Sequence, residues 1–215
     1  MNEQEVRQIV VATANAYIGI KEGSERHKEI IDCYNSIKPL PVGYKVTIRD
    51  HWCAAFVSAM FWISYHNLLI FPYECSCERM RLSSTKLGIW VEDDGYMPNI
   101  GDVIVYDWQD TGKGDNNGYP DHVGIVDETY EAAFRVIEGN IHDSVGHRYL
   151  SKDDRYIRGF ITPNYSVLAD SDTGEETLSE AQKWFRDTFS IIVSRWDDRV
   201  ALTYKELAEV LYILK

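Results

Sequence analysis

Four short runs decide the predicted fold: GDVIVYDW (101–108), HVGIVDE (122–128), FRVIEG (134–139) and YIRGFIT (156–162). Each run is rich in Val and Ile, and turn-forming segments such as DTGKGDNNG (110–118) separate them. This pattern is typical of short β-strands. Because connections of this length favour antiparallel pairing, the sequence predicts an antiparallel β-sheet from residue 101 onward.

Helices are predicted ahead of these strands. Residues 2–20 and 25–36 place apolar side chains at helical spacing, and HWCAAFVSAMFWISYHNL (51–68) predicts a long apolar helix. Asp50 is the candidate N-cap of this third helix. Helices followed by a run of strands indicate an α+β fold in which the N-terminal helices pack on the central sheet.

The chain is expected to divide after the last predicted strand. Residues 166–179 are polar, acidic and turn-rich, which predicts a linker, and two amphipathic helices are expected within residues 180–215. We therefore expect one domain over residues 1–165 and a small helical appendage at the end. The role of this appendage stays open: it could mediate self-association, pack on the first domain or anchor the protein to its target.

The composition excludes several classes of protein. The chain has 215 residues, is 45% hydrophobic and carries a formal net charge of −12, so it can bury a sizeable core. An acidic protein lacks the basic surface that nucleic acids or anionic bilayers attract. We expect a soluble globular protein with no nucleic-acid partner and no membrane insertion.

Three features bring chemistry-bearing residues towards one site. Cys53 lies at the start of the apolar helix, where the N-terminal partial charge lowers a thiol pKa and free N–H groups can hold an oxyanion. His122 opens an apolar strand, which suits a general base better than a packing role. Glu138 and Asn140 share one face of the next strand, beside His122 if the two strands pair. Taken singly, Glu138 and Asn140 could each also belong to a surface turn.

The motifs WCAAFV (52–57), GDVIVY (101–106), HVGIV (122–126) and VIEGN (136–140) occur in this order. Together they resemble the CHAP family, the cysteine, histidine-dependent amidohydrolases and peptidases, over residues 1–163. The resemblance implies a papain-like α+β fold and hydrolysis of peptidoglycan amide bonds, as in phage endolysins and bacterial autolysins.

Carried over by motif position, the resemblance implies a role for each of four residues. Cys53 would be the nucleophile, His122 the general base, Glu138 the residue that orients His122, and Asn140 a supporting polar group. Whether Glu138 or Asn140 contacts the imidazole stays open, because both lie on the same strand face. The resemblance further implies that the scissile bond is an N-acetylmuramoyl-L-alanine amide or a peptide bond of peptidoglycan, cleaved through a thioester.

No cofactor is expected, and no metal ligand is predicted. Some CHAP domains bind calcium in an Asp-rich loop ahead of the nucleophile, but residues 46–51 contain only Asp50 as a carboxylate. The loop over residues 107–117 contains three Asp residues whose spacing does not fit an EF-hand, so a solvated turn is favoured. Trp108 and Tyr119 flank the predicted site and are candidate substrate-binding residues, with core packing as the alternative.

The leading hypothesis is a phage or prophage endolysin that acts on a Gram-positive cell wall. Glu3 and Glu5 occupy the region where a secretory signal carries basic residues. We therefore expect synthesis in the cytoplasm without a signal peptide and holin-dependent release. Two alternatives stay open: a related amidase with a non-wall substrate, such as a toxin effector or a glutathionylspermidine-type amidase, and a wall-binding module with an inert site.

Overall fold

The computed structural model describes residues 1–93 and 95–169 of the chain. The predicted helical appendage (180–215) lies outside these residues, and so does the predicted linker from residue 170 onward. The described residues form four α-helices: α1 (Glu3–Asn15), α2 (Glu25–Ser36), α3 (Cys53–Tyr65) and α4 (Cys77–Leu87). They also form six strands: β1 (Trp90–Val91), β2 (Val103–Tyr106), β3 (His122–Thr129), β4 (Ala133–Ile141), β5 (Ser144–Ser151) and β6 (Ile157–Ile161).

The six strands make one sheet in the order β1-β6-β2-β3-β4-β5. Every neighbouring pair is antiparallel. The predicted α+β class with N-terminal helices on an antiparallel sheet is therefore confirmed. The four predicted strands correspond to β2, β3, β4 and β6, while β1 and β5 were not predicted.

Helix α3 is the central element of the core. It contacts α1 and α2 on one side and the face of β3 and β4 on the other, so it is apolar around most of its circumference. Its approach to β4 is close: a Cβ at Gly139 would lie 2.5 Å from Cβ of Phe56 and 2.9 Å from Cζ3 of Trp52. The absence of a side chain at residue 139 therefore lets α3 lie directly against the strand that carries Glu138.

The start of α3 differs from the prediction in one respect. Asp50 is not its N-cap, because Trp52 occupies that position and makes no side-chain capping bond. The carboxylate of Asp50 instead accepts hydrogen bonds from the backbone N–H and the hydroxyl of Thr47. Without a capping side chain, backbone N–H groups at the start of α3 stay available to other acceptors.

Helix α4 was not predicted from the sequence. Ser76 is its N-cap and accepts a hydrogen bond from the backbone N–H of Arg79. Only three of its residues, Cys77, Met80 and Ser84, are buried. The helix begins at Cys77 and brings that thiol to the start of α3.

Candidate active site

The side chains of His122 and Glu138 meet across the β3–β4 pair. His122 Nε2 lies 3.0 Å from Glu138 Oε2, and both residues are buried. Gly124 makes room for this contact, since a Cβ there would stand 2.8 Å from Cγ of Glu138. The carboxylate thereby reaches along the strand face to the imidazole at the first residue of β3.

Cys53 completes a chain of three groups with this pair. The interaction with His122 lowers the pKa of the Cys53 thiol, so the sulfur lies beside the imidazole. Because Nε2 faces Glu138, the ring nitrogen left to face the sulfur is Nδ1. The Cys53 side chain is almost enclosed, with 5% of the residue exposed. A thiol, an imidazole and a carboxylate thus stand in the order that thiol-dependent acyl transfer requires.

The electrostatic surroundings favour a thiolate–imidazolium pair. A hydrogen bond from Cys77, the hydrogen bond and charge of His122 and the backbone N–H of Ala54 lower the pKa of Cys53 well below its usual value, although burial opposes them. Burial also tends to lower the pKa of His122, but its bonds to Cys53 and Glu138 outweigh this and raise it to about 9.

Glu138 is held ionised by two cationic partners. Its Oε1 accepts a hydrogen bond of 2.8 Å from Nε of Arg148, while Oε2 faces His122. Burial alone would raise the pKa of this carboxyl, yet the hydrogen bonds from His122 and Arg148 bring it below the usual value. A buried carboxylate with both oxygens paired can hold an imidazolium in a fixed orientation.

Asn140 lies at the cavity beside the imidazole. It has a left-handed backbone conformation with φ 61° and lines a cavity of about 460 Å³ that His122 and Trp108 also line. No hydrogen bond joins it to His122 within the described part of the chain. Of the two residues that the sequence left open, Glu138 is the one whose side chain reaches the imidazole.

The two candidate substrate-binding residues lie in different surroundings. Trp108 lines the cavity, stacks on Tyr106 at 4.6 Å between ring centroids and lies 5.9 Å from the His122 ring. Tyr119 is 77% exposed and is not among the residues that line this cavity. The structure therefore brings Trp108, but not Tyr119, to the cavity beside the imidazole.

Two site residues were missed from the sequence. Cys77 was not among the predicted site residues, and the N-capping Ser76 before it was the signal for a helix that begins there. Arg148 lies in β5, a strand that was not predicted, so nothing placed it near Glu138. No group of three or more His, Cys, Asp or Glu suited to a metal ion occurs in residues 1–93 and 95–169.

Comparison with known proteins finds no matching family model and no matching curated protein. The fold is similar to two solved structures of Ly7917, one of them described as containing the hydrolysing product of MDP. Their identity to this chain is 12% and 13%, with TM-scores of 0.44 and 0.43. Each match covers 73% of this chain and 62% of the Ly7917 chain, so the chain spans less than two thirds of that protein's length.

Proposed function

We propose that this protein is a cysteine amidohydrolase or peptidase that cleaves an amide bond of peptidoglycan. The observation that carries the proposal is the buried group of Cys53, His122 and Glu138, in which the imidazole hydrogen-bonds the carboxylate and lowers the pKa of the neighbouring thiol. A structural role alone would not require a thiol with a lowered pKa beside an imidazole with a raised one.

The geometry supports an acyl-transfer mechanism in two steps. The Cys53 thiolate attacks the amide carbonyl, and backbone N–H groups at the start of α3 stabilise the oxyanion. The imidazolium of His122 gives its proton to the leaving amine, which leaves an acyl thioester on Cys53. His122 then accepts a proton from water as the water attacks the thioester, and Glu138 keeps the ring oriented throughout.

The substrate assignment rests on the resemblance of the four sequence motifs to CHAP enzymes. It makes the scissile bond an N-acetylmuramoyl-L-alanine amide or a bond within the peptide. We also propose a Gram-positive wall as the target and a phage or prophage endolysin as the biological role, with release from the cytoplasm through a holin pore. The described residues contain no helix long and apolar enough to cross a membrane.

The test is clearing of purified sacculi from several Gram-positive and Gram-negative wall types. The wild-type protein, Cys53→Ala and the matched control Cys33→Ala are compared, since Cys33 Sγ contacts Ala59 O on α3 and not the site. We expect clearing by the wild type and the control only, with mass spectrometry of the fragments identifying the new amine. If no wall is cleared, the non-wall amidase becomes the better hypothesis.

A further inference from the structure

Arg148 has unused hydrogen-bond donors at the wall of the cavity beside His122. Its Nε is used by Glu138 at 2.8 Å, and its guanidinium carbon lies 4.9 Å from the centroid of the Trp108 ring. The side chain is 32% exposed and lines the cavity. The two terminal nitrogens make no hydrogen bond to any residue in the described part of the chain, so they are free to bind a ligand.

The cavity lies beside His122, which lines it, whereas Cys53 does not. In the proposed hydrolysis, the step on which this inference rests, the imidazolium protonates the leaving amine and must lie within hydrogen-bond reach of that nitrogen. The cavity therefore receives the segment of the substrate that departs with the amine.

The charges around the cavity select the chemistry of that segment. Among the described residues that line it, Asp154 is the one carboxylate; its Oδ1 accepts the backbone N–H of Tyr156, and its charge also acts on Arg148. Arg148 and the imidazolium of His122 supply positive charge, and the side-chain amide of Asn140 adds a neutral donor. A guanidinium with two parallel N–H groups free matches the geometry of a carboxylate.

We propose that Arg148 forms a carboxylate-binding subsite for the leaving segment of the substrate. The preferred substrate is then an amide whose amine-side segment carries a free carboxylate within a residue or two of the new amine. The acidic residue of a peptidoglycan stem peptide has this chemistry. Conversion of that carboxylate to a primary amide removes the charge and leaves the two terminal nitrogens of Arg148 without an anionic partner in the complex.

The experiment measures binding without cleavage, by calorimetry on the full-length Cys53→Ala protein. The probes are L-alanyl-D-glutamate and the same dipeptide with both carboxylates converted to primary amides. We expect the free acid to bind at least about tenfold more tightly, as a charge-assisted bidentate pair provides. In the Cys53→Ala background, Arg148→Gln should abolish this preference. Arg148→Lys should reduce it, because the charge is kept but the bidentate geometry of the guanidinium is lost.

Arg135→Gln in the same background is the matched control. Arg135 also pairs with a buried carboxylate, since its Nη2 lies 2.8 Å from Oδ2 of Asp127, but Arg135 does not line the cavity. This variant should keep the preference for the free acid. Equal binding of both probes, no binding of either, or a preference that survives Arg148→Gln overturns the subsite.

The two proposals fail in different ways. Clearing of sacculi that depends on Cys53, together with equal binding of both probes, would retain the hydrolase and overturn the carboxylate subsite. A preference that depends on Arg148, without clearing of any wall, would retain the subsite and overturn the peptidoglycan assignment.

Discussion

The sulfur atoms of Cys53 and Cys77, the first residues of α3 and α4, lie 3.7 Å apart. Two helix N-termini therefore converge on one pair of thiols, and both contribute partial positive charge there. The pair is asymmetric because only Cys53 also contacts His122. The pKa of Cys53 is lowered. The pKa of Cys77 is raised by the hydrogen bond of Cys77 to Cys53 and by burial, so Cys77 is the donor and Cys53 the thiolate.

Removal of the Cys77 thiol should make Cys53 a weaker acid. In Cys77→Ala, the thiolate loses a hydrogen bond that lowers its pKa, and the loss of one such bond corresponds to about a fivefold change in an equilibrium constant. The pH profile of the rate at which iodoacetamide alkylates Cys53, measured by peptide mapping, should shift to higher pH. Cys33→Ala should leave the profile unchanged. An identical profile in Cys77→Ala would show that Cys77 does not tune the nucleophile.

The pH dependence of hydrolysis should be bell-shaped. As the pH falls, protonation of the Cys53 thiolate removes the nucleophile, and this limb should lie well below the usual pKa of a thiol. As the pH rises through about 9, His122 loses the proton that the leaving amine needs. Initial rates of amine release under substrate-limited conditions measure both limbs. A rate that keeps increasing well above the pKa of His122 contradicts the thiolate–imidazolium pair.

Glu138 and Asn140 should differ sharply in their effect on catalysis. Glu138→Gln removes the charge that stabilises the imidazolium, so kcat should fall about 100-fold or more and the alkaline limb should move to lower pH. Asn140 lines the cavity and makes no hydrogen bond to the imidazole among the described residues, so for Asn140→Ala we expect a change of less than about tenfold, mainly in KM. Steady-state kinetics on one soluble fragment compare the two. Equal losses in kcat would overturn the assignment of the orienting role to Glu138.

Gly139→Ala should destabilise the protein through the contact of α3 with β4. The added methyl group would meet Phe56 at 2.5 Å and Trp52 at 2.9 Å, and relief of such overpacking costs about 1–3 kcal/mol of unfolding free energy. Urea unfolding measures this loss. Gly146→Ala in β5 is the control, because its methyl group would meet only Cγ2 of Ile141, at 3.1 Å. A wild-type stability for Gly139→Ala would mean that α3 does not lie so close to the strand.

The parts of the fold that were predictable are those with strong hydrophobic patterns. Helix α3 is a long apolar run, and strands β2, β3, β4 and β6 are short runs rich in β-branched residues between turn signals, so length and turns distinguish them. The juxtaposition of His122 and Glu138 followed from one assumption, that the strands at 122–128 and 134–139 pair. Residue spacing alone could not choose between Glu138 and Asn140, because the β-bulge and turn geometry after Glu138 decide where Asn140 points.

The missed elements lack such patterns for physical reasons. Helix α4 is mostly polar and buries few residues, so its amphipathic signal is weak. Strand β5 follows a two-residue turn formed by His142 and Asp143, both with positive φ. Turns of this kind usually contain Asn-Gly or Asp-Gly, and without glycine the hairpin could not be recognised. Arg148 and Cys77, which lie in these two elements, were missed for the same reason.

The most direct test of the central claim is amine release from purified, susceptible sacculi by three proteins measured side by side. The wild type and Cys77→Ala should both release amines, with Cys77→Ala slower at low pH, while Cys53→Ala should release none despite a normal unfolding midpoint. Release by Cys53→Ala at the wild-type rate would contradict the account, because the nucleophile would then lie elsewhere.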